Sequence, residues 1–198
     1  MTMKRTGKLI LILLVLGVGA GSVWSEDKPK EEKKKKSEVY SATAFGVAGA
    51  AAGQSVSLTI YIDDYTTDAE AHELAQTLKT GGSDAVLKAM DKIKPKKGRI
   101  AVVGRTGQEI SIIRSRPAGK GQRRIFLVLD RPISFLELRQ GTRSRDYEFG
   151  VIELLVDEKG KGSGTALVAA KIKFTKQDTL EIEHYGVDPV RLVNVYKF

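Results

Sequence analysis

The feature that most constrains this fold is the alternation of apolar and polar side chains along several short segments. In residues 55–63, Val56, Leu58, Ile60 and Ile62 alternate with Ser, Thr, Tyr and Asp neighbours. Successive side chains of a β-strand point to opposite faces of a sheet, so this pattern predicts a strand with one buried face. Similar or shorter apolar runs predict strands over residues 40–47, 55–63, 100–103, 110–114, 125–129, 147–156, 166–174, 180–185 and 190–196.

The links between the later strands are short and rich in turn residues. Gly160, Gly162 and Gly164 lie between two of the longest predicted strands. Neighbouring strands joined by short links must be antiparallel, because a parallel pair needs a crossover of about a dozen residues. The sequence therefore predicts an α+β protein, mostly antiparallel, with about nine or ten strands in a sandwich or a partly open barrel.

One helical insert interrupts the strands over residues 67–94. Thr67 and Glu70 have the spacing of a capping box, in which each side chain bonds the other residue's backbone amide. Apolar residues then follow at helical spacing. The glycine pair at 81–82 and Pro95 are expected to stop two successive helices. The prediction is an inserted helical hairpin.

The N-terminal residues 1–25 have the composition of a signal peptide. A basic start is followed by an apolar run of 13 residues over 9–21, and small residues favour cleavage near Ser22 or Ser25. A bilayer span needs about 20 residues, so no transmembrane span is expected in the mature chain. We therefore predict export to the periplasm or the extracellular space. Residues 26–37 are expected to be a charged disordered linker, and residues 38–198 a single β-rich domain.

The chain contains no cysteine. Disulfides, thiolate metal sites and thiol nucleophiles are therefore excluded. A domain of about 160 residues buries close to 70% of its unfolded surface, so core burial is expected to stabilise it without covalent links.

The net charge of +9 is unevenly distributed along the chain. Residues 94–145 contain 14 basic and 3 acidic side chains, whereas residues 38–93 contain 3 basic and 8 acidic ones. Arginine dominates the basic segment, and its planar guanidinium suits phosphate and carboxylate groups. The residues predicted to bind an anionic partner are Arg114, Arg116, Lys120, Arg123, Arg124, Arg131, Arg139, Arg143 and Arg145. The alternative is that they pair internally with the acidic segment.

Other candidate sites have simpler explanations. The acidic cluster around the helix start consists of Asp63, Asp64, Asp68, Glu70, His72 and Glu73. Helix capping and solvation account for it, so no metal and no cofactor are predicted. Glycine-rich stretches at 104–107 and 118–121 depart from the phosphate-binding loop pattern and are interpreted as turns. No base-stacking motif accompanies the arginines, so nucleic acid is not expected as a partner.

Three functional hypotheses follow. The favoured one is an exported, non-enzymatic binding or structural module that contacts an anionic envelope component or an acidic protein through the arginines. The first alternative is a β-barrel carrier of a small apolar ligand, lined by the strands from Tyr147 onward. The second is a small hydrolase using Glu153, Asp63 or His184, although no nucleophile-elbow motif is present.

Overall fold

The computed structural model describes residues 8–10, 37–46, 53, 55–102, 106–133, 136, 147–175, 178–184 and 189–198. These ranges contain one helix, α1 (Asp68–Lys92), and eleven strands. The strands are β1 (Lys8–Ile10), β2 (Glu38–Phe45), β3 (Ser55–Ile62), β4 (Gly98–Val102), β5 (Gln108–Ile110), β6 (Ile112–Gly119), β7 (Gln122–Leu129), β8 (Phe149–Val156), β9 (Gly162–Phe174), β10 (Leu180–His184) and β11 (Val190–Lys197).

The strands form one antiparallel sheet that is open at its two ends. Its order is β5-β4-β3-β2-β11-β9-β8-β7-β6. The long strand β9 has two partners on one edge, with β11 along its first half and β10 along its second. Strand β1 extends the sheet beyond β10. The predicted α+β class and the antiparallel pairing are therefore confirmed.

The two end strands of this order are consecutive in the chain, with Ser111 between them. Strand β5 pairs with β4, whereas β6 pairs with β7. The single strand predicted over 110–114 is therefore two strands that have different partners. Thr66 contacts the start of β6, because its amide donates to the Ile113 carbonyl at 2.8 Å and its Oγ1 accepts from the Ile113 amide at 3.0 Å.

The inner face of the sheet forms one core. Residues from all nine strands in the order above contribute to it. Leu58, Ile60 and Ile62 of β3 are at most 1% exposed. The segment whose alternation was clearest thus lies on the inner face as expected.

The helix covers part of the outer face. Leu78, Val86 and Met90 pack with Phe149 and Leu167 in a second apolar cluster. The capping box at Thr67 is present as predicted, and so is the helix end before Pro95. As the glycine pair predicts, the helical region is interrupted at Gly82, whose φ of 70° and ψ of −168° are not helical. α1 therefore consists of two helical segments, and both pack on this face of the sheet.

The N-terminal predictions fall largely outside the described residues. Lys8–Ile10 pairs with β10, while residues 1–7 and 11–36, which include both proposed cleavage positions and most of the predicted linker, are not described. Within the described ranges, no helix is long and apolar enough to cross a bilayer.

Candidate functional site

The arginines predicted to bind an anionic partner lie mainly on the hairpin formed by β6 and β7. Arg116 is directly opposite Arg124, and Arg114 is directly opposite Phe126. Side chains directly opposite each other in antiparallel strands have Cβ atoms about 5 Å apart and lie on the same face. The hairpin therefore brings two like charges together.

The faces of these strands divide the arginines into two groups. Ile113, Ile125 and Leu127 are fully buried in the inner core, so their sequence neighbours Arg114 and Arg124 lie on the outer face. Arg114, Arg116 and Arg124 form what we call the arginine patch. Arg123 has the parity of Ile125 and lies on the inner face.

Two acidic side chains partly balance the arginine patch. Arg114 donates to Asp68 and, at 2.8 Å, to the carbonyl of Thr66. The hydrogen bond from Arg114 lowers the pKa of Asp68, and the charge of the same arginine acts in the same direction. The Nε of Arg124 lies 3.0 Å from Oε1 of Glu153, although its N–H is not aligned for a hydrogen bond.

Arg116 remains the unbalanced member of the patch. Among the described residues it has no ion-pair partner, and its side chain is half-buried on the hairpin. Three guanidinium groups therefore face two carboxylates on this surface. The excess positive charge of the arginine patch therefore lies at Arg116, next to Arg124.

Arg123 belongs to a different group of side chains, at the end of the inner core. Its guanidinium donates to Glu38, Tyr40 and Tyr65. The carboxylate of Glu38 also accepts from Tyr40 Oη at 2.7 Å and lies 3.1 Å from Lys197 Nζ. We call these five residues the inner ion cluster.

The inner ion cluster stabilises the ordinary charge states of Glu38, Arg123 and the two tyrosines. Burial would raise the pKa of Glu38, but hydrogen bonds from Arg123, Tyr40 and Lys197 outweigh it and lower that pKa to about 2. Burial and the charge of Glu38 raise the pKa of Tyr65 to about 12, and burial with the Glu38 hydrogen bond also raises that of Tyr40. These shifts suit a structural role, because proton transfer near neutral pH needs a pKa close to 7.

The remaining residues of the predicted surface are dispersed. Lys120 lies at the tip of the β6–β7 turn, with a φ of 51°. Arg131 follows β7 at the opposite end, about 23 Å from Arg124 at the rise of a strand, and pairs with Asp130 at 3.3 Å. Arg139, Arg143 and Arg145 lie outside the described residues.

Two buried lysines were not singled out in the sequence. Lys96 Nζ donates to the Met90 carbonyl, to Ser111 Oγ and to Asp130 Oδ2, at 2.9, 3.0 and 3.2 Å. Lys97 Nζ lies 2.8 Å from Glu70 Oε1. Part of the positive charge between 94 and 145 is therefore internal and joins the helix to the sheet.

The residues proposed for hydrolysis do not converge. Asp63 follows β3, Glu153 lies on β8 and His184 ends β10, so three separate strands carry them. In the sheet order, β3 and β8 are separated by β2, β11 and β9. The described residues include no group of three or more His, Asp and Glu side chains that could hold a metal ion.

Comparisons with protein-family models, with curated proteins and with solved structures found no match to this chain. A fold by itself does not identify an activity, because the same fold hosts unrelated functions. The functional conclusion therefore depends on the side chains described above.

Proposed function

We propose that this protein is an exported, non-enzymatic binding module whose arginine patch binds an anionic or acidic partner outside the cytosol. The observation that carries the proposal is the direct opposition of Arg116 and Arg124 on the outer face of the β6–β7 hairpin. The export part of the proposal rests on the basic start and the apolar run of residues 1–25.

The opposition of the two arginines is unfavourable in the isolated protein. Like charges directly opposite each other in a sheet destabilise the pair, and Glu153 lies beside Arg124 alone. Contacts that are unfavourable for folding stability occur most often at functional sites. A phosphate or carboxylate between the two guanidinium groups would remove the repulsion and accept charge-assisted hydrogen bonds from both.

We further propose that the sheet curves into a partly open barrel rather than a sandwich. The sheet ends β5 and β6 are successive parts of one chain segment bent at Ser111, so the two ends lie next to each other. All nine strands of the order contribute to one inner core. The buried side chains of these strands pack together in that core. The β-barrel carrier of a small apolar ligand stays the alternative to the binding module.

The experiment that tests the proposal is salt-dependent binding to immobilised poly-L-glutamate and to a phosphate-bearing matrix. The protein begins at Glu26, which keeps all residues of both apolar clusters, since these start at Tyr40. We expect binding that weakens as salt increases, and a loss of about tenfold in affinity for R116Q/R124Q.

A control separates the patch from general positive charge. K88Q/K94Q removes the same charge from exposed lysines on the helix and just after it, and should change binding less than twofold. Equal losses in the two double variants would refute a specific patch. The N-terminus of the exported protein, read by mass spectrometry, tests cleavage near Ser22 or Ser25.

A further inference from the structure

A second surface lies at the end of the sheet that carries the β6–β7 turn. The turn between β8 and β9 lies beside it, because a Cβ added to Gly121 would be 2.9 Å from Glu158 Oε1. The end of β11 lies on the other side of that turn, because a Cβ added to Gly160 would be 2.4 Å from Lys197 Cβ. Two turns and one strand end therefore form a continuous rim.

The rim carries positive charge that is not used inside the protein. Lys120, Lys159 and Lys161 are exposed and make no ion pair within the described part of the chain. Asp157 is occupied by the turn itself, since its Oδ1 accepts the backbone amides of residues 159 and 161 at 2.9 and 2.8 Å. Glu158 is the exposed acidic side chain among these lysines.

The rim also carries two exposed aromatic side chains. Phe198 is 73% exposed and Tyr196 is 42% exposed, and their rings contact edge to face with centroids 4.9 Å apart. Phe198 is held in place by its backbone amide, which donates to the Val39 carbonyl at 2.9 Å. Large apolar side chains exposed together indicate an interaction surface.

We propose that this rim docks on an anionic lipid bilayer, with the lysines at the headgroups and the Tyr196–Phe198 pair inserted at the interface. Aromatic rings flanked by lysines are the composition that proteins place at the boundary between headgroups and acyl chains. The inference deepens the proposed function by naming the anionic partner as a lipid surface, but it uses residues outside the arginine patch.

The test places a single tryptophan at the rim. The chain from Glu26 contains no tryptophan, because the sole Trp24 precedes it. F198W is mixed with phosphatidylglycerol vesicles and with phosphatidylcholine vesicles. We expect a blue-shifted emission and protection from acrylamide with the anionic vesicles only. F45W is the matched control. Phe45 is 40% exposed and ends β2, whereas Phe198 contacts Val39 at the start of that strand. The emission of F45W should not change on addition of vesicles.

Vesicle co-sedimentation then separates the two parts of the rim. Each exposed lysine near an anionic surface contributes about fivefold to partitioning, so K120Q/K159Q/K161Q should bind at least tenfold more weakly. Y196S/F198S should also lose binding, whereas F45S should bind like the parent protein. Unchanged binding of both rim variants would overturn the inference.

Two further outcomes are distinguishable. Loss of vesicle binding in R116Q/R124Q but not in the rim variants would overturn rim docking and leave the arginine patch as the binding site. A blue shift of F198W that needs no vesicles and grows with protein concentration would show that a second copy covers the rim, and would also overturn the lipid proposal. Absence of binding to vesicles and to both matrices would refute the proposed function as well.

Discussion

Arg123 on β7 forms an ion pair with Glu38, the first residue of β2, across 85 positions of sequence. Tyr40, which is fully buried, donates to the same carboxylate at 2.7 Å. The pair lies where the inner core ends and joins two strands that are not neighbours in the sheet. It therefore links β2 to β7 at the edge of the inner core.

A first prediction concerns the strength of this pair. R123Q should destabilise the protein by about 2 kcal/mol, because it leaves a largely buried carboxylate with one cationic partner fewer. Urea unfolding of the parent protein, E38Q, R123Q and the double variant gives the coupling energy. Additive effects of the two single substitutions would show that the contact does not stabilise the fold.

A second prediction concerns pH. The pKa of Glu38 is lowered to about 2 from an ordinary value of 4.5, so its contribution is complete above pH 4.5 and is lost as the pH falls towards 2. The parent protein should lose up to about 3 kcal/mol more stability than E38Q between pH 5 and pH 2. Urea midpoints across this range measure the difference. E158Q, at an exposed turn position, should retain the pH dependence of the parent protein.

A third prediction concerns Lys96, whose side chain is 7% exposed. K96M should cost about 2–4 kcal/mol, since Asp130 and the hydroxyl of Ser111 lose a buried charged donor. Ser111 lies between β5 and β6, which are the two end strands of the sheet order. Urea unfolding measures the loss, and K88M at an exposed helix position should change stability little. A K96M protein as stable as K88M would contradict the structural role.

The period-2 pattern of residues 55–63 was sufficient to predict which face of β3 joins the inner core. Val56, Leu58, Ile60 and Ile62 lie on one face as their alternation indicates. Burial of one sheet face requires an apolar residue at every second position, and this requirement is visible in the sequence. The capping box at Thr67 was also predictable, since its contacts are local. Contacts between residues that are at most about four positions apart can be predicted directly from the sequence.

Contacts between residues far apart in the sequence were harder to predict. The change of partner at Ser111 was not predictable from 110–114, because an apolar run does not specify which strands lie on either side. The sequence could have shown that Arg123 and Arg124 lie on opposite faces of β7, since Arg123 is two and four residues before the buried Ile125 and Leu127. Its partner Glu38 could not, because 85 positions separate the two.

A fourth prediction concerns the kink in the helix. Gly82 has a φ of 70° and a ψ of −168°, a conformation that residues with a Cβ rarely adopt. G82A should lower stability by about 1–3 kcal/mol, although alanine favours helices. T80A, two residues earlier on the exposed side, is the control. Greater stability of G82A in thermal unfolding would show that the helix does not need the kink.

The last prediction concerns the close approach of β3 and β4. A Cβ on Gly98 would lie 2.2 Å from the Tyr61 carbonyl oxygen and 3.0 Å from Ile113 Cδ1. The first contact is with backbone, so G98A can be accommodated only by separating two paired strands next to the β5–β6 junction. We expect a loss of about 3 kcal/mol in urea unfolding and faster hydrogen exchange in β3 and β4. A101S on β4 is the matched control, with an expected change below about 0.5 kcal/mol. If G98A were as stable as A101S, the two strands would have to be farther apart than the structure places them.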